Sequence, residues 1–199
     1  MILIFWRWSR APLLWLALWQ AAVGFAQSPP LEGRLKLLLV QCGACHGEDG
    51  NSRIENFPSL AGQPEFFLMN QLFLMREGVR RIEPMAPLVK ALKDDELQAL
   101  AAFYSKLPAK PSGEAVDAAL AMRGAALATS RRCASCHLPS LAGQEQMPRL
   151  ARQRIDYLVY SMKAFRDDKR SGADTLMSAT VIGLSDADLA ALAHYAASR

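Results

Sequence analysis

From residue 31 onward, apolar residues recur at intervals of three and four, and no stretch shows the apolar–polar alternation of a strand. The spacing predicts helices over 32–40 and 115–128, over 65–76 and 155–165, and over 94–107 and 186–198. Asp94, Asp95 and Glu96 open one closing helix, and Asp186 and Asp188 the other, where negative charge complements the helix dipole. The pattern is that of an all-α protein. Ahead of these helices, residues 13–25 form a short apolar run broken by Gln20. Arg7 and Arg10 precede it, and Gly24, Phe25 and Ala26 follow with small residues at the two positions a peptidase reads. Residues 1–26 are therefore expected to be an export signal. The alternative is a retained anchor, with Trp6, Trp8, Trp15 and Trp19 at the membrane interface, although the apolar stretch falls short of the roughly 20 residues a spanning helix needs.

The helical pattern is written twice. Cys42, Cys45 and His46 recur 91 residues later as Cys133, Cys136 and His137, and Gly33 recurs at the same offset as Gly124. Residues 57–61 match 147–151 at an offset of 90, and 92–97 match 184–189 at 92. Such small drifts mean short loop insertions between two copies of one fold. The segment 107–114 contains Pro108, Pro111 and Gly113, which favour an extended connection. Two tandem domains, 31–107 and 115–199, are expected, and a chain of 199 residues has room for both.

Composition narrows the field only a little. Lys and Arg number 23 against 19 Asp and Glu, a formal charge of +4, of which Arg7 and Arg10 lie in the N-terminal segment. So slight a balance lacks the concentrated basic face of a nucleic-acid binder.

The repeated Cys-x-x-Cys-His run carries the chemistry. Two thiols about one helical turn apart can add to the vinyl groups of a haem, and the adjacent imidazole becomes an iron ligand. A lone Cys-x-x-Cys also suits a redox dithiol or half a zinc site. The dithiol leaves both histidines unexplained, and a zinc site would have to bridge the two copies. Two covalently bound haem c groups are the expectation, with Cys42, Cys45, Cys133 and Cys136 as attachment points and His46 and His137 as proximal ligands.

The sixth ligand decides what the iron can do, and the repeat sorts the methionines. Met69 aligns with Val159, Met75 with Phe165 and Met162 with Leu72, the pattern of core filling. Met85 aligns with Met177 in a loop just before the last helix, 39 and 40 residues beyond the respective histidines. These two are the candidate axial ligands, against core packing as the alternative. Ligation by histidine and methionine would close both irons to oxygen and substrate while raising their potentials, which favours a carrier over an enzyme. His194 aligns with Ala102 and reads as an ordinary surface or packing residue. Arg131, Arg132 and the 166–170 cluster read as solvated faces, with docking of an acidic partner or compensation of haem propionates as the alternative, and Phe66, Phe67, Phe73, Tyr157, Tyr160 and Phe165 read as packing around haem.

With these residues in view, the chain resembles the dihaem cytochrome c4 family across nearly all of residues 31–199. The resemblance is carried by Cys-Gly-Ala-Cys-His-Gly-Glu-Asp-Gly-Asn-Ser at 42–52, by Phe-Pro-Ser-Leu-Ala-Gly-Gln at 57–63 and by the Met85 and Met177 segments. It implies two class I cytochrome c-like domains related by a pseudo-twofold, carrying electrons in the periplasm from a quinol-oxidising complex toward a terminal oxidase. It also implies that the carbonyls of Pro58 and Pro148 accept a hydrogen bond from the proximal histidines, fixing the rings and tuning their basicity. A different reading of the partners is that the chain serves a periplasmic dehydrogenase as its dedicated cytochrome subunit. The second copy departs from the pattern: Leu138 and Leu141 stand near where Gly47 and Gly50 make a turn, and Arg152 replaces Gly62. The two haem environments are therefore expected to be unlike, with distinct potentials.

Overall fold

The computed structural model describes residues 31–199 other than 171, 173 and 174; the expected export signal or anchor over 1–26 lies outside the described residues. The helices are α1 (Leu31–His46), α2 (Glu65–Arg76), α3 (Ala86–Val89), α4 (Asp94–Ser105), α5 (Ala118–Ser130), α6 (Ala134–His137), α7 (Ile155–Arg166), α8 (Thr175–Val181) and α9 (Asp186–Ala197). No strand forms among the described residues beyond an isolated bridge between Gln144 and Met147. No single helix among them is long and apolar enough to cross a membrane.

The helix ends follow from local chemistry. Ser185 accepts the Asp188 backbone N–H at 3.2 Å while the Asp188 carboxylate accepts that of Ser185 at 3.0 Å, a reciprocal cap on α9. Glu96 reaches back in the same way to the Lys93 N–H at 2.9 Å, and also takes the Arg34 guanidinium at 2.9 Å, tying α4 to α1. Arg123 on α5 and Asp188 on α9 form the corresponding ion pair in the second half.

The first helix runs further than its hydrophobic spacing predicts, carrying Cys42, Cys45 and His46 on one continuous helix that ends at Gly47 (φ 84°). In the second half the helix stops at Ser130. Arg132 adopts a left-handed conformation (φ 57°), its N–H bonds to Thr129, and the Cys133 N–H bonds to Ala128. This reverse-turn cap closes α5, and the short α6 carries the cysteine–histidine end instead.

Each half has its own core. Leu38, Leu68, Val89, Leu92, Leu97, Leu100, Ala101 and Tyr104 pack together in the first. In the second, one cluster around Val181, Leu184 and Leu189 and another around Leu141, Leu158 and Ala193 both pack against Met162 and Tyr195. The segment 107–114 is extended but fastened. The Asn51 side chain donates to the Pro108 carbonyl at 3.2 Å and accepts the Lys110 N–H at 2.8 Å. Glu114 accepts the N–H groups of Ile155 and Asp156 at 2.8 and 3.1 Å, placing a carboxylate on the positive end of α7.

The halves meet through a doubled contact. The amide of Gln153 brackets Ser59, accepting its N–H at 2.8 Å and donating to its carbonyl at 2.9 Å. Gln63 does the same to Arg149, at 2.9 Å in both directions. Gln63 and Gln153 are themselves repeat partners, so the contact obeys the pseudo-twofold. All four residues are buried.

Candidate functional site: a twinned histidine–thiol cavity

Both Cys-x-x-Cys-His runs face one continuous cavity of about 770 Å³ between the halves. Its walls include Cys42, His46, Pro58 and Met85 from the first half, with Cys133, Cys136, His137, Pro148 and Met177 from the second. Cys45 lines a small adjoining pocket with Cys42, His46 and Met85. The structure thus brings the expected haem-attachment, ligand and proline positions to one space, except Cys45, which lies in the pocket beside it.

The histidines are held alike. His46 Nδ1 lies 2.8 Å from the Pro58 carbonyl oxygen, and His137 Nδ1 lies 2.8 Å from that of Pro148. A carbonyl can only accept, so each Nδ1 carries the proton and each Nε2 keeps its lone pair. Burial lowers the pKa of both rings, and the Pro carbonyl only partly offsets this, so both stay neutral. The His46 Nε2 is buried and finds no hydrogen-bond partner among the described residues.

The thiols are not poised for disulfide chemistry. Burial raises the pKa of Cys42 and of Cys133, whereas a catalytic dithiol needs a depressed one. None of the four cysteines is in a disulfide. No group of three or more His, Cys, Asp and Glu side chains among the described residues converges on a metal position, so a bridging zinc site has no geometry to support it.

Of the two methionines expected in a loop, Met85 lies in a turn and Met177 does not. Met85 is the residue before α3, its carbonyl accepting the Leu88 and Val89 N–H groups at 3.0 Å. Met177 lies inside α8. Each helix is one to two turns long, too short for hydrophobic periodicity to show. Both side chains are partly buried against the core of their own half.

Other side chains fall on both sides of what the sequence suggests. Phe66 and Phe73 are about half exposed and do not line the cavity, whereas Phe67, Tyr157, Tyr160 and Phe165 do. Arg170 is not on a solvated face. It stacks on Phe165, with its guanidinium carbon 4.4 Å from the ring centroid, and bonds the Ser161 hydroxyl. Arg80, its partner in the repeat, bonds Gln71 at 2.6 Å. Burial would raise the pKa of the Tyr157 hydroxyl, but Arg80 and Arg170, both beside it, pull it below its ordinary value. His194 is a packing residue, its Nδ1 accepting the Asp117 N–H at 3.0 Å.

Of the cavity's charged lining, the sequence offered Arg131, Arg132 and Arg170 only as the alternative reading, and Arg80 and Arg149 were missed. Arg80, Arg131, Arg132, Arg149 and Arg170 line the cavity, and no Asp or Glu among the described residues does. Arg149 is buried; its guanidinium bonds the Ala61 carbonyl at 2.8 Å and the Ala151 carbonyl, and burial with the nearby Arg152 charge brings its pKa down to about 10. The Nε atoms of Arg80 and Arg149 are buried and lack a hydrogen-bond partner among the described residues. So many guanidinium groups around apolar walls suit an amphipathic, anionic occupant. A haem has that character: an apolar macrocycle with two carboxylates, matched here by thiols for its vinyl groups and a neutral imidazole for its iron.

An all-helical fold written twice, with a thiol pair and a carbonyl-held histidine in each copy, defines a c-type cytochrome of class I type in doubled form. A family model described as Cytochrome c matches residues 121–198. Cytochrome c4 of Pseudomonas aeruginosa is 34% identical over 165 residues, covering 77% of this chain and 81% of that one. A thiosulfate dehydrogenase electron acceptor of Thiomonas intermedia is 33% identical, covering 91% of this chain and 85% of its own length. The crystal structure of reduced cytochrome c4 from Pseudomonas stutzeri superposes with a TM-score of 0.74 at 31% identity, covering 85% of this chain and 98% of that one. The chain belongs to the dihaem cytochrome c4 family. It is an electron-transfer protein carrying covalently bound haem c.

Proposed function

We propose that each half closes its iron between a histidine and a methionine, His46 with Met85 and His137 with Met177. Thioether links at Cys42 and Cys45 hold one haem, and links at Cys133 and Cys136 the other. The observation that carries this reading is the twinned His–Pro hydrogen bond at 2.8 Å, which presents a neutral Nε2 in each half of one cavity. The Pro58 and Pro148 carbonyls then orient the rings and strengthen them as donors. Iron with both axial positions filled exchanges one electron with little rearrangement. The arginines around the cavity would compensate the propionate charge.

In this reading the protein is a periplasmic one-electron carrier between a quinol-oxidising complex and a terminal oxidase. An N-terminal segment of export type, either cleaved or kept as a membrane anchor, supports that location. A second reading is favoured by the similarity to thiosulfate dehydrogenase electron acceptors, which extends over 91% of the chain in one case. There the donor is a periplasmic dehydrogenase and this chain its dedicated cytochrome.

Two measurements test these statements. Met85→Ala and Met177→Ala should each perturb the visible spectrum of one haem and open that ferrous iron to carbon monoxide; unchanged spectra in both would overturn the ligand assignment. Affinity capture of the tagged holoprotein from detergent-solubilised membranes separates the partner readings. A complex of fixed stoichiometry with a catalytic dehydrogenase chain would establish the second and exclude the free carrier.

A further inference from the structure

Between the two histidines lies a set of bonds that crosses from one half of the molecule to the other. His46 donates Nδ1–H to the Pro58 carbonyl at 2.8 Å. That carbonyl belongs to the same peptide unit as the Ser59 N–H, which donates to Gln153 Oε1 at 2.8 Å. The mirror chain runs from His137 to the Pro148 carbonyl at 2.8 Å, then from the Arg149 N–H to Gln63 Oε1 at 2.9 Å. A single peptide group therefore separates each histidine from a glutamine of the opposite half.

We infer that Gln153 and Gln63 are positioning residues that tune the opposite haem, Gln153 acting on the His46 site and Gln63 on the His137 site. The inference rests on the reading of both histidines as iron ligands.

The physical basis is polarisation. A peptide whose N–H is engaged has a more negative carbonyl oxygen, and consecutive hydrogen bonds strengthen one another by about 10–30% in condensed phases. The Pro carbonyl thus becomes a better acceptor, the Nδ1–H bond is drawn out, and the imidazole donates more strongly through Nε2. A stronger donor stabilises ferric iron and lowers the potential. The second arm of each amide, from Nε2 back to the Ser59 or Arg149 carbonyl of the next peptide, clamps that residue's backbone from both sides. Ser59, Gln63, Arg149 and Gln153 are all at most 5% exposed, so water does not compete for these bonds. The two chains are not equal in surroundings. Gln153 Oε1 also accepts the Arg154 N–H at 3.0 Å, and Arg149 brings a buried guanidinium to the other chain.

The test is a crossed pair of substitutions in the full holoprotein. Gln153→Met and Gln63→Met keep length and remove both polar arms. Each haem is followed by NMR in the reduced state, through its ligand-methionine methyl signal and its histidine Nδ1–H signal, alongside a potentiometric titration. Gln153→Met should raise the potential of the haem on Cys42–His46 by about threefold in its oxidised-to-reduced ratio, roughly 28 mV at 59 mV per tenfold. It should also shift the His46 Nδ1–H signal. Gln63→Met should do the same to the haem on Cys133–His137. Should either methionine variant lose its interface, Gln→Asn, whose amide is one methylene short, reads the same crossed pattern. Equal shifts at both haems, a shift confined to the haem of the substituted half, or no shift would overturn the inference. The two methionine methyl signals report ligation independently, so their absence would overturn the ligand reading instead.

Discussion

Gly124 lies against Ala191 where α5 crosses α9: a Cβ on Gly124 would stand 2.0 Å from the Ala191 carbonyl oxygen and 2.7 Å from Tyr195 Cβ. The second half is thus closed by a crossing of helix backbones that admits no side chain. At Gly33, its partner in the repeat, a Cβ would meet nothing within 4 Å.

The contrast sets the first prediction. Gly124→Ala must force α5 and α9 apart and should cost about 3 kcal/mol or more, at the upper end of overpacking effects. Gly33→Ala should be neutral, or stabilising by up to about 1 kcal/mol through helix propensity. Denaturant unfolding of the two holoproteins gives the comparison. Equal stabilities would mean that α5 and α9 do not cross at this glycine.

Glu96 supplies a pH-dependent prediction. Burial alone would raise its carboxyl, but the Lys93 N–H and the Arg34 guanidinium hold it below its ordinary 4.5. A depressed carboxyl contributes stability that is present above pH 4.5 and lost as pH falls through the folded value. Glu96→Gln keeps an acceptor for Lys93 but sets an amide against Arg34, and should cost about 2 kcal/mol at pH 7. The gap between wild type and variant should narrow as pH falls below 4.5 and close once the folded carboxyl is protonated. A gap that persists there would place the effect elsewhere than in the charge.

Arg152 gives a backbone prediction. It occupies the left-handed conformation (φ 57°) that Gly62 occupies in the first half (φ 65°). Arg152→Gly and Arg152→Ala both remove the exposed side chain and its bond to the Ala109 carbonyl. The strain of a Cβ at positive φ outweighs the greater freedom glycine loses on folding, so the glycine variant should be more stable by about 1 kcal/mol. Thermal unfolding of the pair measures the difference, and a more stable alanine variant would refute it.

Much of this was legible in the sequence because it rests on spacing. The Cys-x-x-Cys-His runs, the offset of about 91 residues and the apolar periodicity of the long helices need no tertiary knowledge. The short helix that follows Met85 and the one that holds Met177 escaped because one or two turns cannot display a 3.6-residue period. Gln63 and Gln153 escaped because their partners lie in the opposite half, up to 94 residues away, and the pairing of Arg80 with Arg170 because it forms only where both meet Tyr157. Even so, both pairs recur at an offset of 90, and that repetition was a signal. Leu138 and Leu141 show a different limit. They read as loss of the glycine turn, yet their φ values of 69° and 56° keep the backbone of Gly47 and Gly50, at 84° and 71°. The same bonds return as well: the Gly50 carbonyl accepts the N–H groups of Leu60 and Ala61, and the Leu141 carbonyl those of Leu150 and Ala151. Leu141 is 3% exposed, and burying its side chain offsets a backbone strain of roughly 1–2 kcal/mol.

The account stands most directly on the state of the two irons. A coulometric titration of the purified holoprotein, repeated under carbon monoxide, reads it. The account predicts two electrons taken up per chain in two one-electron steps, at potentials that carbon monoxide leaves unchanged. Uptake of one electron per chain, or carbon monoxide binding at either ferrous haem of the unmodified protein, would contradict it.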